Sequence, residues 1–318
     1  MIKINLKKAG TIVFFACTFL FNLCAEFNVI PMADFGALQL KDDNYLFSPS
    51  GTLMFKYQKD EDDTSKKPDL ISGSLSYGQD IISKGLNDYD EKQFHSLGAF
   101  GKIGFGKNTF LLKVTDRSAH PFESYKSWEG LLFYSRDIIK KDSMTLAIGG
   151  GLAATDLGIV IGGIDIFVVP LPMIYFAFKN QIIKTEMEWI GLPMVNLMLF
   201  PEKMFRVRCS ASLAGFDLPV DIQWDCALSF YPVKKEPFNE LVSISAGVAS
   251  NVKKLRINTK DSLKYQYYCA YGELSITALT IRGGYAFDGK QILRTSNGKS
   301  TIKYNGGIYA TVSGMYKF

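Results

Sequence analysis

Reactive side chains are sparse in this chain of 318 residues. His95 and His120 are its only imidazoles. A serine or cysteine nucleophile needs such a base within hydrogen-bond reach, oriented in turn by a third group. His95 opens an alternating segment (Phe94-His95-Ser96), and His120 precedes Pro121 in a polar stretch. Neither belongs to a nucleophile motif, so the expectation is a protein that is not an enzyme. Asp60-Glu61-Asp62-Asp63 lacks the spaced ligands and turn glycine of a calcium loop and reads as a solvated charge run. Gly149-Gly150-Gly151 and Gly162-Gly163 lack phosphate-binding spacing. They read as bends or close contacts within strands. Cys209, Cys226 and Cys269 have no CxxC spacing, and with two histidines they make no zinc set. No metal or cofactor is expected. An odd number of cysteines in an exported chain leaves at least one unpaired.

The charged residues that do form a pattern lie in two adjoining segments, 204–214 and 219–231. In the first, Arg206, Arg208, Ser210 and Ser212 alternate with Phe205, Val207, Cys209, Ala211 and Leu213. In the second, Asp221, Gln223, Asp225 and Ser229 alternate with Ile222, Trp224, Cys226, Leu228 and Phe230. A period of two is that of a strand. Folding the pair about Gly215–Pro219 sets Cys209 opposite Cys226 on the apolar face and Arg208 and Ser210 near Asp225 on the polar one. Arg282 joins the polar set from the segment Leu279–Phe287. Arg206, Arg208, Asp221, Gln223, Asp225 and Arg282 are therefore the candidate site. They form either a mixed-charge lining that passes or binds small solutes, or a mutually paired network that fills the space.

Lys3, Lys7 and Lys8 precede an apolar run from Ala9 to Leu23, the layout of a secretory signal peptide. Cleavage is expected near Ala25, ahead of lipidation at Cys24. The run is shorter than the roughly 20 apolar residues of a spanning helix. Without residues 1–25, 33 Lys and Arg face 31 Asp and Glu, so the remainder is close to neutral. The basic balance is thus partly the leader's, and nucleic acid is not an expected partner. Residues 26–318 read as one domain, with no Pro/Ser/Gly linker dividing them.

Similar alternation recurs at Leu53–Tyr57, Ile71–Tyr77, Val242–Val248, Leu263–Tyr271 and Leu279–Phe287. Short turns (Gly106-Lys107-Asn108, Lys140–Ser143) alternate with long polar loops (80–93, 116–127). Leu157–Phe178 carries a single charge, Asp165, but Pro170 and Pro172 and many β-branched residues favour strands over a membrane helix. It reads as two strands joined at Pro170-Leu171-Pro172. Leu192–Pro201 is apolar and irregular. The chain ends on alternation too, with Ile308, Ala310, Val312, Gly314, Tyr316 and Phe318 on one parity. Periodicity alone leaves a soluble sandwich open, with apolar faces as core. The terminal Phe318, with apolar or aromatic residues at alternate positions before it, resembles the C-terminal signal of bacterial outer-membrane β-barrels. That resemblance implies an all-β, antiparallel up-and-down transmembrane barrel, here of about 12–14 strands. It implies apolar faces toward outer-membrane lipid, and closure and assembly through Tyr316 and Phe318 with the outer-membrane assembly machinery.

Overall fold

The computed structural model describes residues 28–40, 44–59, 68–84, 92–122, 127–161, 164–190, 192–214, 221–233, 241–258, 261–295 and 298–315, without the side chains of 155–167, 190, 192, 214 and 305. Residues 1–25, the charge run at 60–63, Tyr316 and Phe318 fall outside these residues.

Sixteen strands form one closed barrel. They are β1 (Asn28–Gln39), β2 (Tyr45–Gln58), β3 (Leu70–Ile82), β4 (Gln93–Phe105), β5 (Asn108–Ser118), β6 (Trp128–Lys141), β7 (Met144–Ile161) and β8 (Ile164–Lys179). β9 (Ile183–Ile190), β10 (Leu192–Leu199), β11 (Phe205–Ala214), β12 (Asp221–Phe230), β13 (Val242–Arg256), β14 (Ser262–Ile276), β15 (Leu279–Thr295) and β16 (Gly298–Met315) complete it. Each pairs antiparallel with its neighbours in sequence, and β16 returns to β1 with Met315 opposite Met32. Closure leaves no sheet edge, the condition that lipid imposes on a spanning sheet.

The strand count exceeds the expected 12–14. β1 was not legible, because Pro31 and Asp34 blur its alternation. Leu192–Leu199 is a regular strand despite its irregular reading, paired on both sides. Leu157–Phe178 does fall in two strands, but the first ends at Ile161 and the second begins at Ile164. Pro170 and Pro172 lie within β8. β9 stops pairing at Ile190–Met173, so both prolines sit where β8 has only β7 beside it. A missing N–H is tolerated at such an edge.

Exposed large apolar side chains mark the outer face. Phe205, Val207, Leu228, Ile244, Val248, Ile281, Tyr285, Ile308 and Val312 share it, with Ile308 67% exposed and Leu228 55%. Such alternation is that of a lipid-facing wall. One segment is reversed from expectation. Leu263, Tyr265, Tyr267, Cys269 and Tyr271 of β14 point inward, and Leu263, Tyr265 and Cys269 are fully buried. Aromatic alternation has the same period on either face. The interior here is packed with apolar groups, so apolar character alone gave the wrong side. Because Ile308 lies mid-strand on the outer face, Ile308→Arg is expected to cost about 2–4 kcal/mol, as for a cation near the bilayer midplane. Urea unfolding in lipid vesicles measures this.

The loop asymmetry is weaker than the sequence suggests. The end bearing both termini has two-residue turns at 106–107, 142–143 and 277–278, but also long connections at 59–69 and 231–241. At the far end, 83–92 and 119–127 are long while 296–297 is short.

The barrel is not round at its far end. β12 stops pairing with β13 at Trp224–Ser250, and β13 continues to meet β5 in parallel, Arg256 beside Ser118. The Ala119 N–H donates to the Arg256 carbonyl at 2.8 Å. Seven strands lie on either side of this bridge. On one side, β13–β16 and β1–β4 enclose a core that includes Leu38, Leu46, Ile82, Phe94, Leu255, Ile257, Leu263 and Tyr265. These side chains form an apolar cap over half of the lumen.

Candidate functional site: a layered polar lumen

Beneath the cap the interior changes character within two residues on four of the contributing strands. Leu46 gives way to Ser48 on β2, Ile82 to Asp80 on β3, Phe94 to Ser96 on β4 and Leu255 to Lys253 on β13. Strand periodicity positions these pairs, since residues two apart share a face. Lys253 reaches from β13 to β2 and β3, the latter six strands away round the wall. There its Nζ donates to Ser48 Oγ at 2.9 Å and pairs with Asp80. Ser48 also donates to Asp80 Oδ1 at 2.6 Å. The lumen is thus spanned by one charged tether.

Nearer the termini lies the network that holds three of the six sequence candidates together. Glu273 of β14 accepts from Arg208 Nη2 at 2.8 Å and from Arg282 Nε and Nη2 at 2.9 and 2.7 Å. Arg282 Nη1 donates to Asp225 Oδ2 at 2.9 Å. Tyr271 donates to Asp225, and its ring stacks under the Arg282 guanidinium at 3.9 Å. Arg208 continues to Ser229 and Ser245 at 2.8 and 3.0 Å. Charge-assisted bonds of this kind are short and fix orientation.

The structure therefore brings Arg208, Asp225 and Arg282 into one cluster. Arg206 lies apart, buried over the Tyr231 ring at 3.9 Å and donating to the Lys203 carbonyl. Asp221 pairs with Lys264 at 2.7 Å. Gln223 donates to the Val252 carbonyl. Sequence reasoning missed Glu273, because Tyr271-Gly272-Glu273 sits beyond the aromatic run that was assigned to lipid. It missed Asp80 because the sequence reads 80–93 as a polar loop, and Lys253 because it lies past the alternating run Val242–Val248, beside Lys254.

On the other side of the bridge the inner face is more open. Glu186 and Glu188 of β9 lie inward, and Tyr175 donates to Glu186 at 3.0 Å. Lys102 and Lys113, from β4 and β5, lie within electrostatic reach of Glu188. Glycines permit close contacts between β6 and β7 there. A Cβ on Gly149 would run into the Tyr134 carbonyl, and one on Gly151 into the Leu132 carbonyl and the buried Phe133 ring. This agrees with the close-contact reading of the glycine run.

His95 lies on β4 with its Nδ1 2.9 Å from the Tyr77 hydroxyl. Cys209 and Cys226 stand directly opposite, as the folded pattern requires, with sulfurs 2.6 Å apart on the outer face. Among the described residues no cluster of three or more His, Cys, Asp or Glu is placed to hold a metal.

No protein-family model matches the sequence, and no curated protein does. Solved structures resemble the chain at low identity. CdiB from Escherichia coli shares 10% identity at a TM-score of 0.49 over 91% of this chain, which spans 63% of that chain, under two thirds of its length. A triple mutant of the Rhodopseudomonas blastica porin shares 8% at 0.40, covering 91% of this chain and 99% of that one. OpdQ of Pseudomonas aeruginosa shares 7% at 0.39, covering 92% and 98%. The class itself follows from construction: one closed wall of sixteen antiparallel strands, an apolar outer face and a partly polar interior. By that construction the chain has the fold of a membrane-spanning, up-and-down β-barrel of sixteen antiparallel strands.

Proposed function

We propose that the chain is exported, cleaved near Ala25, and works in the bacterial outer membrane as a narrow pore that admits or holds small solutes, without catalysis. Assembly runs through the terminal strand, with Tyr316 and Phe318 as the residues read by the assembly machinery. The observation that carries the reading is the contrast between faces. Large apolar side chains point out, whereas Lys102, Lys113, Glu186, Glu188, Arg208, Asp225 and Arg282 share the inner parity. Mixed inward charge favours a modest transverse field over strict ion selectivity. Refolded protein in planar bilayers is expected to give small, discrete conductance steps. Their absence at any voltage removes the pore reading.

One observation favours a second reading. The apolar cap and the β5–β13 bridge obstruct half of the far end. A non-conducting barrel would then present loops 83–92 and 119–127 and the β15–β16 hairpin, all at that end, to a surface ligand. A heat-modifiable gel shift and a detergent requirement distinguish both readings from a soluble sandwich.

A further inference from the structure

The polar layer under the cap borders a half-open cavity of about 370 Å³, lined by Ser48, Ser50, Asp80, Ser96, Arg117 and Lys253 among others; Arg117 is exposed to it. Cavities of roughly 300–1,000 Å³ hold small ligands. Its charges are uneven. Lys253 is neutralised by Asp80. Arg117, on β5 one residue from the bridge to β13, faces the cavity and has no ion-pair or hydrogen-bond partner among the described residues. Ser96 lies opposite Arg117 on the neighbouring strand. The Ser50 and Ser96 hydroxyls likewise have no side-chain partner among the described residues. The floor therefore holds one uncompensated guanidinium beside free hydroxyls, roofed by Leu46, Ile82, Phe94 and Leu255.

We infer that this cavity is a binding site for one small oxyanion, seated on Arg117 with Ser50 and Ser96 alongside. A guanidinium presents parallel N–H donors that match the two oxygens of a carboxylate or phosphate. One net positive charge suits one anionic group, and the hydroxyls suit polar substituents beside it. The site rests on the pore reading only for how solute reaches it.

Calorimetric titration of the refolded protein in detergent with inorganic phosphate, gluconate and glucose tests this. Phosphate or gluconate, or both, is expected to bind, and which one does identifies the oxyanion. Glucose is expected to bind at least ten-fold more weakly. Arg117→Gln is expected to lose at least ten-fold in affinity, and Arg117→Lys, which keeps charge without the fork, to lie between. Lys290→Gln, outside the cavity, is expected to bind as the parent does. No binding of either anion overturns the inference, as does equal binding by Arg117→Gln or equal binding of glucose. If Arg117→Gln does not refold, Arg117→Lys decides, and unchanged affinity there counts against the fork. Binding without bilayer conductance removes the pore and leaves the site; conductance without binding removes the site and leaves the pore.

Discussion

Glu273→Ala is expected to destabilise the barrel by about 3–5 kcal/mol, the cost of leaving a buried ion pair half made. Glu273 is the only carboxylate that Arg208 pairs with among the described residues, and it shares Arg282 with Asp225. Its side chain is 7% exposed, so water offers little replacement. Without it, two guanidiniums are left near one another, with a single carboxylate between them. Glu273→Gln retains one acceptor and falls between parent and Ala. Replacing Glu273 and Arg208 together by Met removes both charges and is expected to recover much of the loss, because apolar substitutes for a whole buried pair are often neutral. Urea unfolding in lipid vesicles reads all three. Equal stability of Glu273→Ala and the parent would show that the network is solvated and does not hold the wall.

Tyr265→Ala is the second large effect. The side chain is fully buried at the centre of the cap. Large-to-small changes at such positions cost about 3–5 kcal/mol. The cap also obstructs the lumen, so the same variant is expected to raise conductance in planar bilayers. Tyr265→Phe separates packing from polarity. The Tyr265 hydroxyl is buried with no hydrogen-bond partner among the described residues. An unsatisfied buried hydroxyl costs roughly 1–3 kcal/mol, so Phe is expected to be at least as stable as Tyr and to leave conductance unchanged. A Tyr265→Phe barrel much weaker than the parent would place a polar partner in the cap.

The strand architecture was legible because one face of most strands is apolar and the other polar. The β11–β12 pair shows this best, down to the register that sets Cys209 against Cys226. The sidedness of β14 was not legible. Its inner face changes from aromatic at Tyr265, Tyr267 and Tyr271 to acidic at Glu273, because it crosses from the cap to the charged layer. Alternation reports that two faces exist, and only the neighbours decide which of them meets lipid. The candidate site was legible in part for a related reason. Arg208, Asp225 and Arg282 stood out as charges in clean alternation; Glu273 lies directly opposite Arg282 on the next strand, whereas Lys253 and Asp80 meet only through closure. Arg206 and Asp221 had the same local signature as Arg208 but found other partners, Tyr231 and Lys264. The bridge between β5 and β13 joins segments far apart in sequence and leaves no local pattern.

The central claim is that β14 crosses a bilayer with Tyr265 and Tyr271 inside the barrel and Tyr268 and Leu274 against lipid. Single tryptophans at these four positions, in a background with Trp128, Trp189 and Trp224 replaced by Phe, test it through fluorescence quenching by brominated lipids. Strong quenching at 268 and 274 with weak quenching at 265 and 271 is the predicted result. The reverse alternation would turn the strand inside out, and no quenching at any of the four would contradict a membrane-spanning barrel.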